Sequence, residues 1–445
     1  MPPSELTPSV PESAVHCEVL VIGGGPAGST IATLLAQRGR DVVLLEKSRH
    51  PRFHIGESLL PLNLPLFEKL GVKEEIESLA MIKWGVQFNS PNHERSVTLN
   101  FSQAWDKSFP YAYQVRRSVF DEVLFRNAQS KGARAQEDVK VTHVEFHDQG
   151  VRVRAKTADG VEQHWSTRFV VDASGRDTFF ANQFRIKEKN KRHNSAAVFG
   201  HFTGAQRLEG RDEGNISIFW FDHGWFWLIP LSDGTTSVGA VCWPYYLKTR
   251  KTPVDQFFLD TIALCPALAK RLEHAHLVEP ATATGNYSYT ATRASGPHHI
   301  MLGDAYAFID PVFSSGVFLA MHSAFVGADT VETCLDRPRE AQAALKHFDR
   351  ISRRGPKVFS WFIYRVTTPA MRELFMNPSN DGRLVEVLLA VLAGDIFRGT
   401  PIGGRLLVFK AVYYLTGLHY VRRTLAAWRR RRRIARETLD EAVVG

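Results

Sequence analysis

Apolar and polar positions along this chain fall into short runs with the period of buried strands and longer segments with the period of helices. Cys17 to Ile22 is an apolar strand, followed by the turn GGGPAG and an alanine- and leucine-rich helix to about Gly39. Asp41 to Leu45 is a second apolar strand, closed by Glu46. Strand, glycine turn, helix and strand in that order make the β-α-β unit that begins a dinucleotide-binding sheet. Phe67 to Leu79 reads as a helix, and IKWGVQF (Ile82 to Phe88) as a strand entering a buried sheet. QVRRSVFDEVLFRNAQSKG is an amphipathic helix with a glycine at its end. Val151 to Ala155 and Phe169 to Val171 run like strands. From Ala196 to Val241 the pattern is β-rich, with ISIFWF and SVGAVCW bounded by glycine and aspartate. HIMLGDA is another buried strand, leading into a loop and a helix. Beyond about Asp336 the pattern is helical, punctuated by Pro369, Pro378 and Pro401.

This order predicts an α/β fold. A floppy leader, 1–16, precedes a dinucleotide-binding module, 17–335, into which a mixed or antiparallel sheet is interleaved at about 84–115 and 195–295. An α-helical C-terminal region, 336–445, follows. A length of 445 residues suits two or so intimately packed domains. Cys17, Cys242, Cys265 and Cys334 are scattered without metal-type spacing, as expected of reduced thiols in a cytoplasmic protein, and no metal-ligand cluster is apparent. The N-terminus lacks the basic region and apolar run of a signal peptide, and no apolar run is long enough to span a bilayer.

Charge is uneven. From Val421 to the end, eight arginines face three acids, a net of +5, which leaves +4 for everything before. This basic tail, 421–445, follows the apolar stretch Leu406 to Val421. It suits a solvated helix end, an anionic membrane surface at the inner face of the membrane, or an acidic carrier protein. Nothing resembles a nucleic-acid module.

Gly23, Gly25 and Gly28 supply a tight turn, bare backbone that a pyrophosphate can approach, and close strand–helix packing. Pro26 and Ala27 open the helix whose amides face the phosphates. Glu46 stands 18 residues beyond Gly28 at a strand end, where an acid accepts ribose hydroxyls, and Lys47 follows it. Lys83 by itself reads as an edge lysine with its stem on apolar surface. Trp225 and Trp227 by spacing alone read as core residues on one strand face.

Two later stretches, VVDASGRDT (Val170 to Thr178) and MLGDAYAFIDPVFSSGVFLAMHSA (Met301 to Ala324), resemble motifs of flavoproteins with the aromatic-hydroxylase fold. The resemblance implies FAD, with Asp304 on the ribityl chain, the turn from Pro311 to Gly316 facing the isoalloxazine, and Arg117 beside Gln114 holding the cofactor. PRFHIGESLLP (Pro51 to Pro61), WFWLIP (Trp225 to Pro230) and DPVFSSG (Asp310 to Gly316) resemble segments of the flavin-dependent halogenases. Phe308, Pro311, Ser314 and Gly316 are in register with that family's second signature.

The halogenase resemblance implies a divided reaction. FADH2 and O2 give a flavin hydroperoxide, chloride or bromide attacks it, and hypohalous acid travels through a tunnel to an aromatic substrate. Lys83 matches the lysine that presents the halogen. Ser315 and Gly316 amides form the halide site, an anion-binding nest. Trp225, Trp227 and Pro230 shape the barrier between flavin and substrate, and Ser58 lies along the tunnel. Phe313 lines the substrate cavity where free-tryptophan halogenases carry a glutamate, which argues for an electron-rich phenol, pyrrole or indole. A separate NAD(P)H-dependent flavin reductase is implied, with a free or carrier-tethered aryl substrate. An aromatic monooxygenase (hydroxylase) or a polyprenyl reductase shares the FAD motifs but needs neither Lys83 nor WFWLIP. A non-catalytic flavoprotein is the third reading.

Overall fold

A computed structural model describes residues 14–190, 195–285, 288–429 and 432–433. Residues 1–13 of the expected leader, and Arg430, Arg431 and 434–445 of the basic tail, lie outside the described residues. The leader ends earlier than expected, because β1 (Val15–Ile22) already takes in Val15 and His16.

β1 buries Val19, Leu20 and Val21 completely, as befits a parallel strand covered on both faces. It passes through the glycine turn into α1 (Pro26–Gln37) and returns as β2 (Val42–Leu45). β1 runs parallel to β2 on one side and to strand Glu162–Asp172 on the other, and strand His299–Met301 pairs parallel beyond that. The register sets Leu45, Ile22, Asp172 and Met301 in one row. The carboxyl ends of four strands, drawn from distant parts of the chain, therefore share one rim, where ligands of open α/β sheets bind.

The segment expected as a single helix, Phe67 to Leu79, is two: Leu64–Leu70 and Lys73–Leu79. Gly71, at φ 72°, terminates the first in a left-handed cap. IKWGVQF is likewise two strands in two sheets, a correction to the sequence reading. β3 (Met81–Lys83) ends at the lysine, and β4 (Gly85–Asn89) starts two residues later. β4 pairs with β5 (Val97–Asn100) and, in parallel, with strand Ile216–Phe221 of a large, mostly antiparallel sheet. β3 instead pairs with β6 (Ala112–Gln114) in a small ribbon. The elbow between β3 and β4 is tight. A Cβ on Gly85 would lie 2.3 Å from the Leu99 carbonyl oxygen, and one on Gly214 would lie 2.0 Å from that of Ile82.

The large sheet is buried on both faces. Phe226 and Leu228 of strand Gly224–Pro230 pack in one cluster with Phe257, Phe258 and Leu268 of the helices outside the sheet. Trp225, Trp227 and Ile229 point the other way, into the main core. That core is shared with the C-terminal helices: Phe88 of β4 meets Phe375 of helix Pro369–Met376 at 4.5 Å between ring centroids.

Candidate active site

At the rim, local sterics explain Gly23 and Gly28 of the turn. Gly23 has φ 99°, and a Cβ on Gly28 would sit 1.8 Å from the Gly23 carbonyl oxygen, so both positions exclude side chains. A Cβ on Gly25 would meet only Arg52 Nη2, at 3.5 Å, which leaves this backbone open to a ligand. Gly25 caps α1 without any side-chain hydrogen bond, so the first amides of the helix remain available to a phosphate. These features fit the pyrophosphate of FAD. Glu46 is more engaged than its position suggested. Its carboxylate accepts the Gly24 amide at 2.7 Å and the Ser48 amide at 3.0 Å, bracing the turn, and still has further acceptor capacity. Lys47 turns to an ion pair with Asp177.

Asp304 follows Met301 at the same rim and lines a cavity with Gly303, Phe308, Gly316 and His322. Burial pushes its carboxyl up to about 6, opposed by the nearby Arg117 and Arg176. Arg117 is held by protein groups on both sides. Its Nε and Nη2 donate to Asp121 at 2.8 and 2.9 Å, a bidentate pair, while Nη1 donates to the Ile55 carbonyl at 2.8 Å. Arg117 thus ties the helix Arg117–Ser130 to the loop after β2.

That loop joins the two halves of the site. Ser58 bridges to Gln114 across one edge of β6, and Met81 of β3 pairs with Gln114 across the other. The Lys83 side chain reaches this loop: its Nζ donates to Ser58 Oγ at 2.9 Å and to the Leu59 carbonyl at 3.0 Å. It also lies 5.3 Å from the centre of the Phe101 ring. Lys83 is 1% exposed, whereas Ile82 beside it is 39% exposed, an inversion of the usual order. Trp84 turns outward under the Arg211 guanidinium, 3.8 Å above its ring. Burial alone brings the Lys83 ammonium down to about 7. Next to Ser58, buried Glu57 holds His201 Nε2 at 3.0 Å from both carboxylate oxygens.

The tryptophan signature lies against the same loop. Trp225 and Trp227 are 6.0 Å apart, Trp227 is 6.0 Å from Phe199, and Phe199 stacks on Phe53 of the loop at 5.9 Å. Gly239 makes room for this arrangement, since a Cβ there would stand 2.2 Å from the Trp227 ring. Pro230 closes the strand opposite Thr236. In the second signature, Asp310 accepts the Val312 amide and Ser195 Oγ, and Pro311 begins a single helical turn. Ser314 is left-handed at φ 55° and Ser315 right-handed at φ −82°, the alternation that aims successive amides into one concavity. Gly316 starts a 21-residue helix, with open space where its Cβ would be. Phe313 is buried against Phe362 and Phe375.

Sequence reasoning missed Arg52, Asp121 and His201. Arg52 stands 3.5 Å from Glu46 and 3.4 Å from Asp121, over the Gly25 turn. Its place in PRFHIGES was the available signal. Asp121 could have been found as the i+4 partner of Arg117. His201 lies in an apolar strand and carried no local signal.

A glycine turn opening on helix amides, with an acid beneath it and Asp304 on the same rim, defines an FAD-binding protein. Residues 16–330 match the family model described as an FAD binding domain. A tryptophan 2-halogenase from Chondromyces crocatus is 34% identical over 347 residues, 75% of this chain and 64% of that protein. A 1H-pyrrole-2-carbonyl-[peptidyl-carrier protein] chlorinase from Pseudomonas fluorescens is 29% identical, covering 86% of this chain and 90% of that one. The structure of the myxobacterial chondrochloren halogenase superposes with a TM-score of 0.75 at 32% identity, over 91% of this chain and 96% of that one. This chain belongs to the flavin-dependent halogenase family. It spans just under two thirds of the first curated relatives it matches, 64% and 66% of their lengths.

Proposed function

We propose that the chain halogenates an electron-rich aromatic ring, with Lys83 delivering the halogen. Reduced FAD with O2 and chloride or bromide supplies the oxidised halogen, as hypohalous acid, and a separate flavin reductase supplies the reduced cofactor. The Gly23–Gly28 turn, Glu46, Arg117 and Asp304 hold the cofactor, joined by Arg52, and the Ser315 and Gly316 amides hold halide. The observation that carries this reading is the buried amine of Lys83, brought down to about 7 and aimed by Ser58 and Leu59. An amine with that value is partly neutral at physiological pH, so it can serve as nucleophile toward hypohalous acid and also as hydrogen-bond donor to it. Trp225 and Trp227 wall the substrate from the flavin. Phe313 in place of a carboxylate favours a phenol, pyrrole or indole over free tryptophan. The carrier-tethered substrate named for one relative extends the candidates to carrier-bound aryl groups.

The test is an assay with FAD, a flavin reductase, NADH, O2 and bromide, offered indole or a simple phenol. Halogenated product from the wild type, lost in Lys83→Met with FAD retained, supports the proposal. Hydroxylated product formed without halide would replace it with a monooxygenase.

A further inference from the structure

We infer that the C-terminal helices seat this protein on an anionic lipid surface. Helix Gly403–His419 is apolar on both sides. Phe409 and Tyr413 face the core, while Leu407, Leu415 and Leu418, on the opposite side, are 66%, 64% and 67% exposed, with Val408 at 51%. In a globular protein such a helix is normally covered on both faces. The exposed stripe continues through Val421, Leu425 and Trp428, which recur at helical spacing over residues 421–429.

Charge identifies what covers the stripe. No acid occurs between Asp395 and Glu437, while Arg405, Lys410, Arg422, Arg423, Arg429 and Arg432 flank the apolar side chains. Aliphatic side chains and a tryptophan bordered by arginines match the headgroup boundary of a bilayer, where chains enter apolar lipid and guanidinium groups meet phosphate. A second copy of this chain would set the cationic rim against itself. Nucleic acid would leave the leucines uncovered. Side chains this exposed project rather than line a groove, and a bilayer, unlike a folded partner, requires no pocket for them. Among the described residues no helix is long and apolar enough to cross a membrane, so the surface lies on the bilayer.

The experiment is vesicle flotation of the full FAD-loaded chain, using phosphatidylcholine alone and phosphatidylcholine with phosphatidylglycerol. The wild type is expected to float with the anionic vesicles, and to be released by high salt. Arg422→Ser with Arg423→Ser should bind about thirty-fold more weakly. Leu415→Glu with Leu418→Glu should not float, while keeping its bound FAD and its melting temperature. Absence of wild-type flotation on anionic vesicles overturns the inference, as does equal flotation of the leucine variant. A wild-type dimer that this variant turns monomeric would assign the face to self-association instead. Halogenation is not read in this assay, so its outcome is separate from that of the proposed reaction.

Discussion

Lys83 Nζ donates to Ser58 Oγ across 2.9 Å, joining strand β3 to the loop after β2, which lies on the opposite edge of β6. The bond fixes the direction of an amine that burial has already stripped of water. Replacing Ser58 by alanine removes an acceptor that favours the charged amine, worth about 1.5–3 kcal/mol for a bond to a charged group. In Ser58→Ala the halogenation rate should fall about tenfold or more, and the pH-rate limb that reports Lys83 should move to lower pH. A pH profile of kcat for both proteins checks this; an unmoved limb separates Ser58 from the amine.

Burial of Lys83 also makes stability depend on pH. Its folded pKa is about 7 against 10.5 in the unfolded chain, so between these values the unfolded state binds the extra proton. The folding penalty is absent above about 10.5, grows as pH falls, and is complete below about 7. Lys83→Met should therefore be more stable than the wild type at pH 6.5 by on the order of a few kcal/mol, an advantage that shrinks toward pH 10. Urea denaturation of both proteins across this range measures it. A constant difference would place the amine in water.

Two glycines of the same turn, different in their surroundings, should respond differently. Gly28→Ala drives a methyl into the Gly23 carbonyl and should cost more than about 3 kcal/mol of stability. Gly25→Ala meets only the guanidinium of Arg52, at 3.5 Å, so its melting temperature should stay near the wild type while FAD affinity drops about tenfold or more. Thermal melts with and without added FAD separate the two effects.

Gly239→Ala should push the Trp227 ring off its seat. Overpacking of this kind costs about 1–3 kcal/mol. Because Trp227 connects through Phe199 to Phe53 of the Ser58 loop, the variant should also lose halogenation relative to its FAD content. Product formed per bound flavin, compared between the two proteins, tests the connection. An unchanged ratio would confine Trp227 to a packing role.

The glycine turn, the strands that flank it and the acid at the end of β2 were legible in the sequence because each is local. A tight turn, an apolar strand and a helix start write their requirements into adjacent residues. The split of IKWGVQF was not legible. Lys83 and Gly85 both belong to extended segments, and only pairing with β6 in one case and with strand Ile216–Phe221 in the other separates them. The division of Phe67 to Leu79 was marked by Gly71, which the apolar periodicity concealed.

The chain by itself determined that a β-α-β unit opens on phosphate-binding amides, and the order of its motifs determined the family. Tertiary structure alone decided which face of each strand turned inward. A period of two is the same whichever face is buried, so Ile82 and Lys83 could exchange sides without any change in local pattern. Tertiary structure also brought Asp304 to the rim that Gly23 begins, because the parallel register aligns Met301 with Asp172 and Asp172 with Ile22. Hydrogen bonds between strands so distant in sequence arise only when the sheet forms, and they carry no signature in either segment alone.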